Sequence, residues 1–580
     1  MRLRHEDPER GSLFGFDMTR TSIRSRKKWL TIRKAVQVAA LLAFIGLVVL
    51  ARRGAAPELI NVPLRLDPLV MLLHALATRT LLIGSALAGL TLALTLVFGR
   101  AWCGWLCPLG TTLDLFTLKR WRKRSARVSD SWRAVKYGLL LILIAAALFG
   151  NLTLLIFDPI TIMIRTVAIG VWPALDQTVT TLEGTLYQAP FLRDAVGAFD
   201  GAARPVVLPI EPAVYRDVWL FAAMFVALVA LNAIAPRFWC RYLCPLGGLL
   251  GAISKVAVFR REVRGDCNAC GACQIKCPTD TIGPVARPST TRRAHPERNA
   301  VESKDAPSTT RRAHPERTLS LPKRESKDAR RSAQEAFASD PAECTMCLEC
   351  WAVCAQAGVQ FPAHRSIADR RTYDPNRRQA LIAIGVAVTG LALIKSDAVA
   401  RRDHPYLLRP PGARENDLLD KCIRCNLCSR ACPTSGLQPA IMEAGLEGFW
   451  TPILAPRLGY CDYSCNACGQ VCPVQAIPPL SLAEKRLRVL GRAYIDQNRC
   501  IAWADHRDCI VCEEMCPLPD KAIKLEPTAV VKTDGASAVI KLPHVDREKC
   551  IGCGICEYKC PLNGDAAIRV YVPSDSVPFG

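Results

Sequence analysis

The sequence predicts an α-helical membrane domain joined to small cysteine-rich α+β modules. Three observations predict it. All 28 cysteines of the 580 residues fall into two repeated patterns with none left over. Long apolar stretches crowd the first half of the chain. An eleven-residue motif occurs twice in that half, beside those stretches.

The membrane half comes first. A basic tail, 1–34, precedes a domain over 35–258 with four candidate spans: Ala35 to Ala51, Thr80 to Phe98, Tyr137 to Phe157 and Val218 to Ala235. Each approaches the roughly 20 residues a bilayer needs, without an internal charge. One such run is often a buried core helix; four in succession between basic clusters are not. Arg24, Arg26, Lys27, Lys28, Arg33 and Lys34 precede the first span, and Lys119, Arg120, Arg122, Lys123, Arg124 and Arg127 separate the second from the third. Acidic residues balance the longer loop after the third: Asp158, Asp176, Glu183, Asp194, Asp200 and Glu211. Basic loops stay cytoplasmic, which puts the N-terminus inside. The net charge of +23 is therefore partly a topology signal. No recognition motif supports a nucleic-acid partner. Membrane lipid is the expected neighbour of the spans.

The repeated motif is Arg100-Ala-Trp-Cys-Gly-Trp-Leu-Cys-Pro-Leu-Gly110, echoed as Arg237-Phe-Trp-Cys-Arg-Tyr-Leu-Cys-Pro-Leu-Gly247. Asp67-Pro68 and Asp158-Pro159 precede the copies, so the unit is span, Asp-Pro, span, cysteine pair. Duplicated membrane units commonly pack about a pseudo-twofold axis with sites at their interface. Cysteines four apart share a helix face, so Cys103, Cys107, Cys240 and Cys244 are expected to meet as four thiols. A further metal centre, a redox dithiol and simple packing of small apolar side chains are the alternatives. Each Asp is placed to cap a helix that begins with Pro. A quinone pocket at that end would find His74 as a proton acceptor.

The other 24 cysteines form six blocks with iron–sulfur spacing. They are Cys267, Cys270, Cys273 and Cys277; Cys344, Cys347, Cys350 and Cys354; Cys422, Cys425, Cys428 and Cys432; Cys461, Cys465, Cys468 and Cys472; Cys500, Cys509, Cys512 and Cys516; and Cys550, Cys553, Cys556 and Cys560. Two-residue gaps let one tight loop aim three thiolates at one cubane, and the last cysteine ligates the cluster of a partner block. The fourth block has one extra residue in its first gap, Cys461 to Cys465, and the fifth a longer first gap, Cys500 to Cys509. Zinc ribbons use separated hooks instead, and disulfide frameworks belong to small secreted domains. Six [4Fe-4S] clusters follow, in bacterial-ferredoxin-like α+β folds. Proline follows five of the fourth cysteines; Ala355 follows the other. Whether the last four blocks pair in sequence or nested stays open at this level.

These blocks divide the rest of the chain. Residues 259–365 make a two-cluster domain, interrupted by an insert, 287–334, whose repeated polar segments are too poor in apolar residues to order themselves. Residues 375–400 carry Arg377-Arg378, an apolar run from Gln379 to Ile394, and Ala398-Val399-Ala400. That combination reads as a twin-arginine export signal, opposed by Arg401 and Arg402 just beyond; the alternative is a buried helix. Residues 401–580 make a four-cluster domain, outside the cytoplasm if the segment exports it.

With those motifs placed, residues 24 to about 360 resemble the NapH-type membrane ferredoxins, and residues 375–580 resemble the NapG/MauM-type ferredoxins, joined in one chain. The resemblance implies a multi-pass protein of the cytoplasmic membrane. It would take electrons from the quinone pool, with quinol as donor, and pass them to a periplasmic reductase or cytochrome, such as a nitrate reductase system. The alternative is a cytoplasm-fed donor for maturation or reductive maintenance of a periplasmic metalloenzyme. No Rossmann fingerprint, P-loop or haem-attachment motif gives the chain a substrate site of its own.

Overall fold

In a computed structural model the described residues are 23–53, 56–82, 84–117, 128, 132–206, 213–263, 267, 270–283, 337–355, 358–364, most of 381–392, 404–531 and 537–573. The expected insert 287–334, the Arg377-Arg378 pair, the Ala398 to Ala400 site, the basic loop 119–127 and residues 1–22 of the tail lie outside them.

Helix α1 runs Ile23–Leu50. Its 28 residues extend about 42 Å at ~1.5 Å per residue, more than the roughly 30 Å of a bilayer's hydrocarbon core. Basic residues mark both ends. Arg26 donates to the carbonyl of Cys354 at 2.9 Å, and Arg52, just beyond Leu50, donates to that of Pro433 at 2.7 Å. One helix thus reaches two cysteine modules from opposite ends.

Among the described residues two helices are long and apolar enough to cross a membrane, Arg24–Leu50 and Pro159–Leu186. The other expected spans form shorter helices. The third runs only Arg133–Leu148, because Gly150 turns at φ +76° and the Asn151 side chain accepts from Thr153 N–H at 3.0 Å. The second begins at Ser85, after Arg79 closes the preceding helix at φ +58°. The fourth is Val218–Ala230 with a 3-10 extension to Ala233. The region read as a long loop after the third span is instead largely helical. Pro159–Leu186 continues through a π-helical turn, Thr166–Val171, and Arg204 of helix Arg193–Val206 pairs back with Glu183 at 2.6 Å. The outer face of this bundle is apolar, with Leu42 63%, Leu90 52%, Trp219 67% and Val226 63% exposed. Described residues between 381 and 392 are helical and expose Leu381, Ile382 and Ile384.

The cysteine modules are small α+β units. Four two-stranded antiparallel sheets occur among the described residues: β1 (Glu262–Val263) with β2 (Val359–Gln360), β3 (Leu437–Pro439) with β4 (Pro452–Leu454), β5 (Arg492–Ile495) with β8 (Ile568–Tyr571), and the hairpin β6 (Ile523–Val531) with β7 (Ser537–Val545). β1 and β2 bracket the first two blocks, and β5 and β8 bracket the last two, so each sheet closes one paired unit. The first unit packs against the Cys103 end of the bundle, where Trp105 donates to the carbonyl of Met346 at 3.0 Å. The Cys422 unit packs against the Asp158 end, where Tyr215 donates to the carbonyl of Ser429 at 3.1 Å.

Candidate metal centres

The local fold explains how a short loop gathers three thiols. In the second block Met346 and Leu348 have φ of 49° and 60°; in the third Arg424 and Asn426 have 57° and 60°; in the sixth Gly552 and Gly554 have 69° and 81°. The same two positions turn left-handed each time. Glycine does so freely, whereas Leu348 stores strain. A five-residue helix then follows, Glu349–Val353, Leu427–Ala431 or Ile555–Lys559, and ends at the fourth cysteine. That cysteine is extended, with ψ 106° at Cys354, 114° at Cys432 and 125° at Cys560. A following proline disfavours helical backbone, which turns the fourth thiol toward the neighbouring block. Cys354 keeps this geometry although Ala355 follows it, so the missing proline changes nothing there.

The pairing is sequential. Helix Ala272–Lys276 packs on Glu349–Val353, Leu427–Ala431 on Ala467–Gln470, and Val511–Glu514 on Ile555–Lys559. Cys422, Cys425, Cys428 and Cys472 line one pocket; Cys432, Cys461, Cys465 and Cys468 another; Cys516, Cys550, Cys553 and Cys556 a third. Each therefore borrows its fourth thiol from the neighbouring block. Neighbouring thiols extend the rule: Cys344, Cys347 and Cys350 face Cys277, Cys273 faces Cys267 and Cys354, and Cys500 faces Cys509 and Cys560.

Burial raises these thiols: Cys461 and Cys472 to about 11, and Cys344, Cys347, Cys350 and Cys553 to about 12. Such groups stay protonated at neutral pH until iron displaces the proton. Backbone N–H groups already point at sulfur, from Arg424 to Cys422 Sγ (3.4 Å), Ala467 to Cys465 Sγ (3.5 Å) and Ala493 to Cys550 Sγ (3.4 Å). Hydrogen bonds of this kind raise cluster potentials. Among the described residues no three His, Cys, Asp or Glu side chains converge as around a single ion. The quartets suit a cubane, whose irons stand between its ligands. When bound, such clusters supply one-electron transfer.

The duplicated pairs differ from their sequence reading in one respect. Cys103 lies in helix Ala101–Trp105, but Cys107 is extended (ψ 119°) and opens the next helix, Pro108–Leu115. Cys240 and Cys244 repeat this, in a π-helical turn Trp239–Leu243 and before Pro245–Ser254. The two cysteines of each pair therefore do not share one continuous helix, because Cys-Pro breaks it. All four thiols are nonetheless buried, and they face one another from the two copies.

The two arginines that open the repeats bind from each copy to the other. Arg237 donates to the carbonyl of Cys103 (3.3 Å), and Arg100 to that of Cys240 (3.4 Å). Arg237 also pairs with Asp114 at 2.7 Å. Arg100 pairs with Glu343 at 3.0 Å, beside Lys136 and Arg133. Glu343 directly precedes Cys344, so this buried charge cluster ties the repeats to the second block. Their recurrence in both copies was the signal available in the sequence. His74 is buried near Lys421, and its Nε2 has no partner among the described residues.

Models described as "4Fe-4S binding domain" match residues 418–437, 542–568, and 80–127 with 218–264. The last two segments hold the duplicated pairs. The chain is 38% identical over 208 residues to the methylamine utilization ferredoxin-type protein MauM of Methylorubrum extorquens, covering 34% of this chain and 89% of that one. It is 37% identical over 192 residues to the ferredoxin-type protein NapG of Escherichia coli (32% and 79%). It is 29% identical over 267 residues to the methylamine utilization ferredoxin-type protein MauN of Paracoccus denitrificans (44% and 77%). No solved structure matches. With these identities, cysteine spacing and the paired quartets agree that this is an iron–sulfur electron-transfer chain, and it belongs to the MauM/NapG family of ferredoxin-type proteins.

Proposed function

We propose that the chain is a membrane-bound carrier of six [4Fe-4S] clusters that takes electrons from quinol and delivers them to a periplasmic redox partner, such as a nitrate reductase system. The observation that carries this reading is α1, whose two ends meet different cysteine modules about a bilayer's thickness apart. The apolar outer face of the bundle supports a lipid surround. The MauM and NapG likeness supports the polyferredoxin half, and the MauN likeness supports a second ferredoxin-type half in the same chain. Topology follows with the Cys103 end cytoplasmic and the Cys422 unit periplasmic. In this reading the Cys103, Cys107, Cys240 and Cys244 thiols form a redox station between the two sides, as a multinuclear centre or a pair of dithiols.

Anaerobic addition of quinol to the oxidised, reconstituted protein tests it. Bleaching of cluster absorbance with reduced-cluster paramagnetic signals is the expected result. A second reading is favoured by one feature: the Cys267–Cys354 unit lies at the basic end of α1, where a cytoplasmic donor would dock. Reduction by a low-potential cytoplasmic carrier but not by quinol would replace the first reading with a maturation role.

A further inference from the structure

The duplication brings a second pair of like residues together, at the end of the bundle under the Cys422 unit. Asp67 caps helix Pro68–Thr78 and Asp158 caps Pro159–Arg165, each through one carboxylate oxygen. Asp67 Oδ1 accepts from Leu69 (2.8 Å) and Val70 (3.3 Å), and Asp158 Oδ2 from Ile160 (3.0 Å) and Thr161 (2.9 Å). The other oxygens, Asp67 Oδ2 and Asp158 Oδ1, meet no donor among the described residues. The two carboxyl groups lie within hydrogen-bonding reach of each other, and both residues are 0% exposed.

Ionised carboxylates only accept hydrogen bonds, and adjacent buried like charges cannot both persist. One proton between the two removes the repulsion and satisfies both orphan oxygens. Arg165 connects this pair to the neighbouring thiols. It interacts with Asp158 and with Cys425 and Cys422. Its Nη2 donates to Ile156 O (2.6 Å), its Nη1 to Arg424 O (2.8 Å), and its guanidinium lies over Trp450 at 4.7 Å. Its Nε has no partner among the described residues.

We propose that Asp67 and Asp158 form a proton-binding site linked to the redox state of the Cys422, Cys425, Cys428 and Cys472 quartet. In the oxidised protein the pair shares one proton. One electron added at the quartet is matched by one proton, drawn from water, that forms an O–H bond on the remaining carboxylate. Uncompensated charge is costly in a low-dielectric interior, so the electron and proton enter together across Arg165. Two other charged groups lie nearby: Arg424 faces Cys422, Glu447 and Arg165, and His74, on the helix of Asp67, faces Lys421.

The test uses the full chain with its clusters, in nanodiscs, reduced by dithionite rather than quinol. Success or failure of the quinol reading therefore leaves it untouched. The expected redox-difference infrared spectrum contains a protonated-carboxyl carbonyl band that shifts in heavy water. The band is lost in Asp67→Asn and in Asp158→Asn, where Asn retains the cap. One cluster's midpoint potential falls as pH rises in the wild type and loses that slope in both variants. No deuterium-sensitive band in the wild type, a band unchanged in the variants, or a pH-independent potential would overturn the proposal. If either variant fails to fold, the wild-type band and slope decide.

Discussion

Cys461 donates its backbone N–H to the carbonyl of Cys553 at 2.8 Å. One bond thus joins the loop of the Cys432, Cys461, Cys465 and Cys468 quartet to that of the Cys516, Cys550, Cys553 and Cys556 quartet. The two C-terminal units are spliced at their ligand loops.

The exchange of fourth thiols makes a counterintuitive prediction. Cys472→Ala, although it lies in the fourth block, empties the site held by Cys422, Cys425 and Cys428. Iron analysis with paramagnetic spectroscopy should show one cluster lost and the Cys461 site retained. Loss of the Cys461 site instead would refute the pairing.

Glu343 is fully buried among three cations. Glu343→Gln leaves them uncompensated, and breaking a buried pair in this way costs about 3–5 kcal/mol. Thermal unfolding followed by cluster absorbance should register the loss in the Cys344 unit first.

The same residue sets a pH limit. Burial alone would raise the Glu343 carboxyl, but Lys136, Arg100 and Arg133 outweigh it and hold it below its ordinary 4.5. A depressed carboxylate contributes stability above its unfolded value and loses it as pH falls through the folded one. Docking of the first unit should therefore be constant near neutrality and weaken only below 4.5. Titration of Trp105 fluorescence checks this, and weakening between neutrality and that point would contradict it.

Gly104 has no room for a side chain, because a Cβ there would run into the backbone oxygen of Thr345. Gly104→Ala must push the second block away from the repeat, at about 1–3 kcal/mol if the backbone yields. Faster proteolysis within 337–364, with residues 404–573 unaffected, is the expected readout.

Arg165→Gln removes a charged donor from two carbonyls and a cation from Trp450. Each charge-assisted bond contributes about 1.5–3 kcal/mol. Cross-linking between the 153–165 segment and the 424–450 segment should fall in the variant, while cluster content stays at the wild-type level.

The ligand blocks, the duplicated motif and the two Asp-Pro caps could be read from spacing alone, because thiolate geometry and proline sterics act over a few residues. Span lengths could not. Hydropathy ran the third span through to Phe157, while a left-handed Gly150 and the Asn151 side chain end its helix at Leu148. The same limit hid the break between Cys103 and Cys107, since an i, i+4 spacing presumes a helix that Pro108 restarts.

The sequence by itself determined the local pattern: which cysteines group in threes, which fourth cysteine stands apart from them, and which residues the two repeats share. Tertiary structure decided the partnerships. Sequential pairing, the crossed arginines on Cys103 and Cys240, the meeting of Asp67 with Asp158 and the splice of Cys461 to Cys553 join segments tens to hundreds of residues apart. Local spacing carries no information about such contacts; only the packing of buried surfaces, with their polar groups satisfied, selects them.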